Sequence, residues 1–184
     1  MKEISLNILD VAKNSVRANA SLVQILLNTK EDGWMTLNII DDGCGMNEET
    51  LRGVTDPFYT TRTTRKVGMG LPLLKMASEL TGGTLTITSS THSDDHGTNL
   101  QAIFQTKNID CMPLGDIIST VCILIAGSPE IDFVFEDISP EHQVSLDTRE
   151  LRAVLGEDIS LAEPEIQQWM KDYLEEQYQS GNSI

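Results

Sequence analysis

Apolar residues recur along the first part of the chain with two different spacings, and each spacing predicts one kind of element. Between residues 3 and 18 they occupy positions 4, 8, 11, 12 and 16, which predicts an amphipathic helix. Residues 21–28 and 34–40 show the alternation typical of strands, and an Asp-Gly turn joins them. The sequence DDGCGM at residues 41–46 predicts a glycine turn that closes the second strand.

The same pattern continues to residue 107. The predicted elements are a helix at 48–54, a loop at 55–67, a helix at 71–80, and strands at 84–89 and 99–105. Pro72 suits the first turn of the helix it lies in, and Gly82 follows the end of that helix. This order predicts an α/β (α+β) two-layer sandwich, with a mixed, mainly antiparallel sheet and helices on one face.

Charge divides the chain into two unequal parts. It has 184 residues and a net charge of −15. Residues 1–107 carry 10 basic and 12 acidic side chains, whereas residues 108–184 carry 3 and 16. We therefore expect a first domain at 1–107 and an acidic C-terminal extension at 108–184. In the extension the pattern predicts a helix at 114–126, a strand at 131–135, a short helix after Asp147 and an amphipathic helix at 164–179.

Composition also limits the partners and the compartment. A strongly acidic chain is repelled by a phosphate backbone, which disfavours nucleic acid as a partner. The longest apolar run, at residues 121–126, is far shorter than the ~20 residues of a membrane span. The N-terminus lacks the pattern of a signal peptide, and three cysteines without CxxC spacing predict neither a disulfide framework nor a zinc site. We expect a cytoplasmic protein.

Two groups of polar residues suggest binding or catalytic sites. Asp10 and Asn14 are one helical turn apart and share a face. An Asn oxygen can coordinate Mg²⁺ without adding charge beside phosphates, and a carboxylate can accept a proton from water or a hydroxyl. Asp41, at a strand end, can accept a hydrogen bond from an amine such as that of adenine, while Gly43 and Gly45 allow close approach to a flat ring. Taken singly, these patterns are also typical of a solvated helix face and an ordinary turn.

The remaining motifs do not predict a P-loop, a dinucleotide fingerprint, a metal site or a catalytic thiol. The chain contains no GxxxxGK[ST] motif, and its two GxG turns lack the third glycine of a dinucleotide fingerprint. His92 and His96 bracket an acidic tripeptide that predicts a solvated turn. Cys44 occupies a turn position where a small side chain suffices.

The order of the motifs resembles the GHKL ATPase superfamily, which includes gyrase-type topoisomerases, the large heat-shock chaperone, histidine kinases, MutL and anti-sigma serine kinases. The resemblance spans residues 4–105. The matching segments are LDVAKNSVRANA, DDGCGM, DPFYTTR, GMGLPLLKMASELTGG and Gly97-Thr98. The first is closest in style to MutL, and the third and fourth are closest to histidine kinases.

This resemblance implies a Bergerat-type fold that holds ATP and Mg²⁺ between helices and sheet. It implies that Asn14 ligates Mg²⁺, that Asp41 recognises adenine and that Asp10 is the catalytic base. The other implied nucleotide-binding residues are Gly43, Gly45, Met46, Gly68, Met69, Gly70, Leu71 and Thr98, together with Phe58, Arg62, Thr63, Arg65 and Lys66 of a lid at residues 55–67. Phe58 is expected to pack at the base of that lid.

The chain departs from the family pattern at three points. Asp10 stands where hydrolysing members usually have the longer Glu. Asn19 replaces a glycine but can adopt the same positive φ. Lys66 and Val67 replace the first pair of the longer glycine box, which leaves fewer backbone donors for phosphates. A protein that binds nucleotide but turns it over poorly is therefore an open alternative.

The resemblance leads to one main functional hypothesis and several alternatives. The main hypothesis is a stand-alone regulatory protein that binds ATP and Mg²⁺, with slow hydrolysis or protein-kinase activity. The alternatives are an anti-sigma-like serine kinase that binds its partner, a switch without significant turnover, and a MutL-like ATP-gated homodimer. The acidic extension is expected to bind a protein partner. The apolar stripe around Trp169 is expected to pack on its own domain or to bind a partner helix.

Overall fold

A computed structural model describes residues 3–54, 70–156 and 159–181. In these ranges the helices are α1 (Ile4–Arg17), α2 (Glu48–Gly53), α3 (Gly70–Leu80), α4 (Ile117–Gly127), α5 (Thr148–Leu155) and α6 (Pro164–Gly181). The strands are β1 (Leu22–Thr29), β2 (Trp34–Asp41), β3 (Leu85–Ser90), β4 (Gly97–Gln105), β5 (Asp132–Ile138) and β6 (Gln143–Asp147). All the elements predicted from periodicity are present, and β6 is additional.

The strands form one sheet in the order β3-β4-β2-β1-β5-β6. The β1–β5 pair is parallel, and the other pairs are antiparallel. This confirms the predicted mixed, mainly antiparallel α/β architecture. Because β1 pairs with β5, the sheet continues from the near-neutral part into the acidic part. The division into domains at residue 107 remains a prediction about the chain.

The core lies between one face of this sheet and the helices. Alternate residues of β1 and β2 are buried, as the alternation in the sequence predicts. Helices α1, α3 and α4 pack side by side on that face. Helix α1 lies between α3 and α4 and contacts both, while α3 packs against β4 and α4 against β5. Apolar residues from both parts of the chain form a single buried cluster.

The start of α1 is capped from the acidic part. Glu3 occupies the N-cap position but makes no side-chain capping hydrogen bond. Instead, the N–H groups of Ile4 and Ser5 donate to the carbonyl oxygens of Pro113 and Leu114, at 3.0 and 2.8 Å. Free N–H groups at a helix start need such acceptors when they are buried. The segment before α4 therefore helps to hold α1 in place.

Local polar contacts explain where α4 begins. It starts at Ile117 rather than at residue 114, because the Asp116 side chain accepts a hydrogen bond from Ser119 N at 2.9 Å. Hydrogen bonding from both the side chain and the backbone N–H of Ser119 lowers the pKa of Asp116. Within the described ranges, no helix is long and apolar enough to cross a bilayer, α4 included.

Helix α6 covers the β6 edge of the sheet. Met170 and Leu174 are fully buried on the side of α6 that faces α4 and β6. The Gln177 side chain accepts from Ser145 N at 2.9 Å and donates to Ser145 O at 3.0 Å, which satisfies backbone groups on the outer edge of β6. The apolar stripe of α6 thus packs on its own sheet through these two residues.

A buried polar cluster fixes the other end of α6. The Tyr178 hydroxyl donates to Asp137 Oδ2 at 2.7 Å, and His142 Nε2 lies 3.2 Å from the same oxygen. Burial raises the pKa of the Tyr178 hydroxyl, and the neighbouring Asp137 carboxylate raises it further. Tyr178 therefore remains a hydrogen-bond donor across the neutral range.

Candidate functional site

Three neighbouring strands bring polar side chains together at one end of the sheet. Asp41, the last residue of β2, lies opposite Thr98 of β4, which lies opposite Ser89 of β3. Directly opposed residues point to the same face of a sheet. Ile39, two residues before Asp41, belongs to the core on the helix side. Asp41, Thr98 and Ser89 therefore line the helix-covered face at this end.

The Asp41 carboxylate is held by two donors. Ser15 Oγ of α1 donates to Oδ2 at 2.6 Å, and the Gly43 N–H donates to Oδ1 at 3.0 Å. Ser15 is only 4% exposed, so its hydroxyl has little competition from water. An ionised carboxylate offers about four acceptor positions. Within the described contacts, Asp41 therefore keeps capacity to accept further hydrogen bonds from a ligand.

The turn after β2, residues 42–46, is anchored on the end of α1 and the start of β1. Asp42 accepts from Ser21 N at 2.7 Å, from Leu22 N at 2.9 Å and from Ser21 Oγ. Burial raises the pKa of Asp42, but these hydrogen bonds outweigh it and lower the pKa below its usual value. The Cys44 N–H donates to Ala18 O at 2.9 Å. The turn is therefore fixed before any ligand binds.

Both glycines of this turn are required by the protein's own packing. A Cβ on Gly43 would lie 2.8 Å from Ala18 Cβ. A Cβ on Gly45, whose φ is +69°, would lie 1.8 Å from the carbonyl oxygen of Ser90. The positions predicted to approach a nucleotide thus have a structural requirement of their own, and their approach to a ring remains a prediction.

Ser89 connects the turn to β4. Its hydroxyl accepts from Met46 N at 2.8 Å, donates to Gly97 O at 2.8 Å and lies 3.0 Å from Thr98 Oγ1. Since Ser89 has one hydroxyl proton, which the Gly97 carbonyl receives, Thr98 is the donor in their contact. The lone pairs of Thr98 Oγ1 remain available on the same face as Asp41.

The other predicted pair lies on the exposed face of α1. Asp10 and Asn14 are both exposed, and Asn14 Oδ1 accepts from Arg17 Nη1 at 3.1 Å. The start of α3 lies beside this pair, since a Cβ on Gly70 would be 2.9 Å from Asp10 Cβ. The structure therefore places Asp10 beside the N-terminus of α3.

The remaining predicted residues divide into two groups. Leu71 lies in the first turn of α3 with its side chain in the core, so a contact with phosphate would come from its backbone. The lid at 55–67 and its neighbours lie outside the described residues. These predicted residues are Phe58, Arg62, Thr63, Arg65, Lys66, Gly68 and Met69.

Four residues of the site were not predicted. Ser15 follows Asn14 directly, so its place on the predicted helix could have signalled its role. Asp42 and Ser89 form contacts across the sheet that no local pattern indicates. His96 is exposed, as expected for a solvated turn, but its Nδ1 also lies 2.9 Å from Gly43 O, a contact that was not predicted. Asn19 has φ +56°, which confirms the prediction that it can adopt the positive φ of the glycine that it replaces.

Solved structures with a similar fold include a domain of a DNA repair protein and an ATPase domain. The N-terminal domain of a DNA repair protein superposes with a TM-score of 0.56 at 15% identity, covering 85% of this chain and 58% of that one. The Aquifex aeolicus MutL ATPase domain complexed with ADP gives 0.51 at 12% identity, covering 80% and 63%. The mycobacterial sensor histidine kinase MprB gives 0.42 at 21%, covering 53% and 68%. The chain thus spans less than two thirds of the first and second of these structures, and the likeness concerns the fold.

Sequence comparison gives the family. No curated protein matches the chain in sequence. The family model for histidine kinase-, DNA gyrase B-, and HSP90-like ATPases matches residues 2–108, which is more than half of the chain. That range contains every residue of the site from Asp10 to Thr98. The chain therefore belongs to the histidine kinase-, DNA gyrase B- and HSP90-like ATPase family.

Proposed function

We propose that this protein binds ATP with Mg²⁺ at the helix-covered end of the sheet. We further propose that it acts as a regulatory protein with slow ATP hydrolysis or protein-kinase activity. Membership of the ATPase family implies the nucleotide. The observation that carries the proposal is the Asp41 carboxylate, fixed by Ser15 and the Gly43 N–H with acceptor capacity left over.

Asp41 is suited to recognise adenine. A carboxylate accepts from the exocyclic amine of adenine, whereas the carbonyl at the same position of guanine would be repelled. Thr98 Oγ1 lies on the same face and can accept a hydrogen bond directly or through water. The site therefore favours ATP over GTP.

Asn14 is the residue that would hold magnesium. Its amide oxygen is exposed, and its described contact is with the exposed Arg17, which solvent can replace. Mg²⁺ usually keeps several waters and binds through one or two protein oxygens plus substrate phosphates. Among the described residues no group of three or more His, Cys, Asp and Glu side chains is placed to hold a metal without such help. Bound magnesium supplies charge neutralisation on the phosphate oxygens.

The start of α3 is suited to bind the phosphates. Free N–H groups and the helix dipole attract anions at a helix N-terminus. α3 begins at Gly70, directly beside Asp10. Triphosphate bound there would lie close to both Asp10 and Asn14.

Asp10 would act as the general base in hydrolysis. Its carboxylate takes a proton from water while the water oxygen bonds to the γ-phosphorus. The bond from that phosphorus to the β–γ bridging oxygen breaks, and ADP leaves with the electron pair. Because Asp is one methylene shorter than Glu, we expect this step to be slow.

A serine kinase is the second candidate, and the exposed carboxylate of Asp10 favours it. A serine hydroxyl of a partner can occupy the place of the attacking water and give its proton to Asp10. Incubation with labelled ATP and a cell lysate separates the candidates. Acid-stable phosphate on serine supports the kinase, and release of free phosphate alone supports the hydrolase.

Calorimetric titration with a slowly hydrolysed ATP analogue, with and without magnesium, tests the main proposal. Asn14→Ala should abolish the magnesium-dependent part of binding, while Asn28→Ala, an exposed position on β1, should leave it intact. Asp10→Asn should keep binding and reduce turnover, whereas Asp110→Asn should change neither. Absence of binding heat at millimolar nucleotide would refute the proposal.

A further inference from the structure

Two aromatic side chains lie exposed and stacked on α6. The rings of Trp169 and Tyr173 are 5.1 Å apart with an angle of 10° between their planes. Trp169 is 48% exposed and Tyr173 is 38% exposed. Their neighbours Met170 and Leu174 are fully buried and anchor the helix. This aromatic pair is therefore presented to solvent on a rigid support.

A cavity of about 240 Å³ adjoins the aromatic pair, where β5, β6, α5 and α6 meet. Val134 and Leu151 give its lining an apolar part. Its carboxylates are Glu136, Glu150 and Asp147, the last of which is paired with Arg149. The surface thus combines an aromatic face, a small apolar pocket and acidic groups, all within one site.

The charges around this surface are unbalanced. The three basic residues of positions 108–184 already lie beside carboxylates: Arg149 pairs with Asp147, Arg152 with Asp132 and Lys171 with Glu175. Glu136 and Glu150 make no ion pair with any residue that the structure describes. The electrostatic potential of this surface is therefore negative, so that it attracts cations and repels phosphate groups.

We propose that the aromatic pair and its cavity bind a basic, arginine-containing segment of a partner protein. A guanidinium stacks on Trp and Tyr faces and bonds carboxylates in its own plane, and both features are present here. An apolar neighbour of the arginine would enter the pocket beside Val134 and Leu151. A second copy of this surface would bring like charges together, which disfavours self-association through it. The inference rests on the proposed regulatory function, to which it gives a class of partner.

The direct test is fluorescence anisotropy with the full chain and labelled twelve-residue peptides. One peptide carries four arginines and four leucines, and its match carries glutamates in place of the arginines. We expect the arginine peptide alone to bind. Trp169→Ala, or the double variant Glu136→Gln/Glu150→Gln, should weaken binding by about tenfold, which corresponds to ~1.4 kcal/mol.

A matched control separates this surface from general acidity. The double variant Glu48→Gln/Glu49→Gln removes the same charge from exposed positions on α2, which packs at the opposite edge of the sheet. It should bind the arginine peptide as the unmodified chain does. Three results would each overturn the inference: equal weakening by both double variants, binding of the glutamate peptide, or no peptide binding at all.

Nucleotide titration of the same samples keeps the two proposals distinct. Loss of peptide binding in a variant that still binds the ATP analogue supports the docking surface and shows that the variant is folded. A chain that binds the peptide at this surface but no nucleotide refutes the proposed function alone. A chain that binds nucleotide but not the peptide refutes this inference alone.

Discussion

At the residue scale, the adenine contact that we propose for Asp41 depends on one buried hydroxyl, that of Ser15. Removing it by Ser15→Ala leaves Asp41 without its 2.6 Å hydrogen bond. Because a hydrogen bond to a charged group is worth about 1.5–3 kcal/mol, we expect ATP affinity to fall by roughly tenfold or more. Calorimetric titration measures this. Ser78→Ala is the control, since that buried hydroxyl bonds Lys75 O within α3, and equal affinities for the two variants would contradict the role of Ser15.

Asp42 allows a prediction about acid stability. Its pKa is lower in the folded chain than its usual value of 3.8, so its stabilisation is present above that value and is lost as the pH falls through the folded pKa. Asp42→Asn should therefore lower the free energy of unfolding at pH 7 by about 1 kcal/mol, because the carboxylate is partly solvated.

Urea unfolding of both proteins at pH 7 and at pH 3 checks this prediction. The difference between them should shrink at the lower pH, where the Asp42 carboxylate of the unmodified chain becomes protonated on unfolding. A difference that stays the same at both pH values would show that the charge of Asp42 does not stabilise the turn.

Residues of the site differ in how far they could be predicted. Asn14 and Asp41 belong to short motifs, so the order of motifs along the sequence was enough to name them as candidates. Ser89 contacts Met46, 43 residues earlier, and His96 contacts Gly43, 53 residues earlier. Such contacts arise from strand register, which a hydrophobic pattern does not specify to the single residue.

At the scale of elements, the predictions succeeded where a face is buried. Helices α1 and α3 and strands β1, β2 and β4 each present one apolar side to the core, so their periodicity is strong. Strand β6 was missed because it is only five residues long, although Val144 and Leu146 alternate with polar residues and are buried. Its place depends on β5, from which only residues 139–142 separate it, and on Gln177 of α6, which is distant in sequence.

The docking of α6 can be tested at one position. Leu174 is fully buried between α6 and the sheet, so Leu174→Ala should lower the free energy of unfolding by about 2–5 kcal/mol. Leu80→Ala, on the exposed end of α3, should cost less than about 1 kcal/mol. Thermal unfolding followed by circular dichroism compares them. Similar melting temperatures for the two variants would mean that α6 does not contribute to the folded core.

At the scale of the whole molecule, charge and packing divide the chain differently. Net charge changes sharply near residue 108, but the β1–β5 pairing joins both parts in one sheet. The carbonyls of Pro113 and Leu114 cap α1, and α4 packs against α1. Surface charge reflects partners and solubility, whereas buried apolar area decides which segments fold together.

We therefore expect the chain to unfold as one cooperative unit. Its two tryptophans report on the two parts, since Trp34 lies in β2 and Trp169 in α6. Urea unfolding of Trp34→Phe and Trp169→Phe, each followed by the remaining tryptophan, should give the same midpoint. Circular dichroism of each variant provides the control, because its backbone midpoint must agree with the fluorescence. If Trp169 reported a separate, earlier transition, residues 108–184 would be a unit that opens independently of residues 1–107.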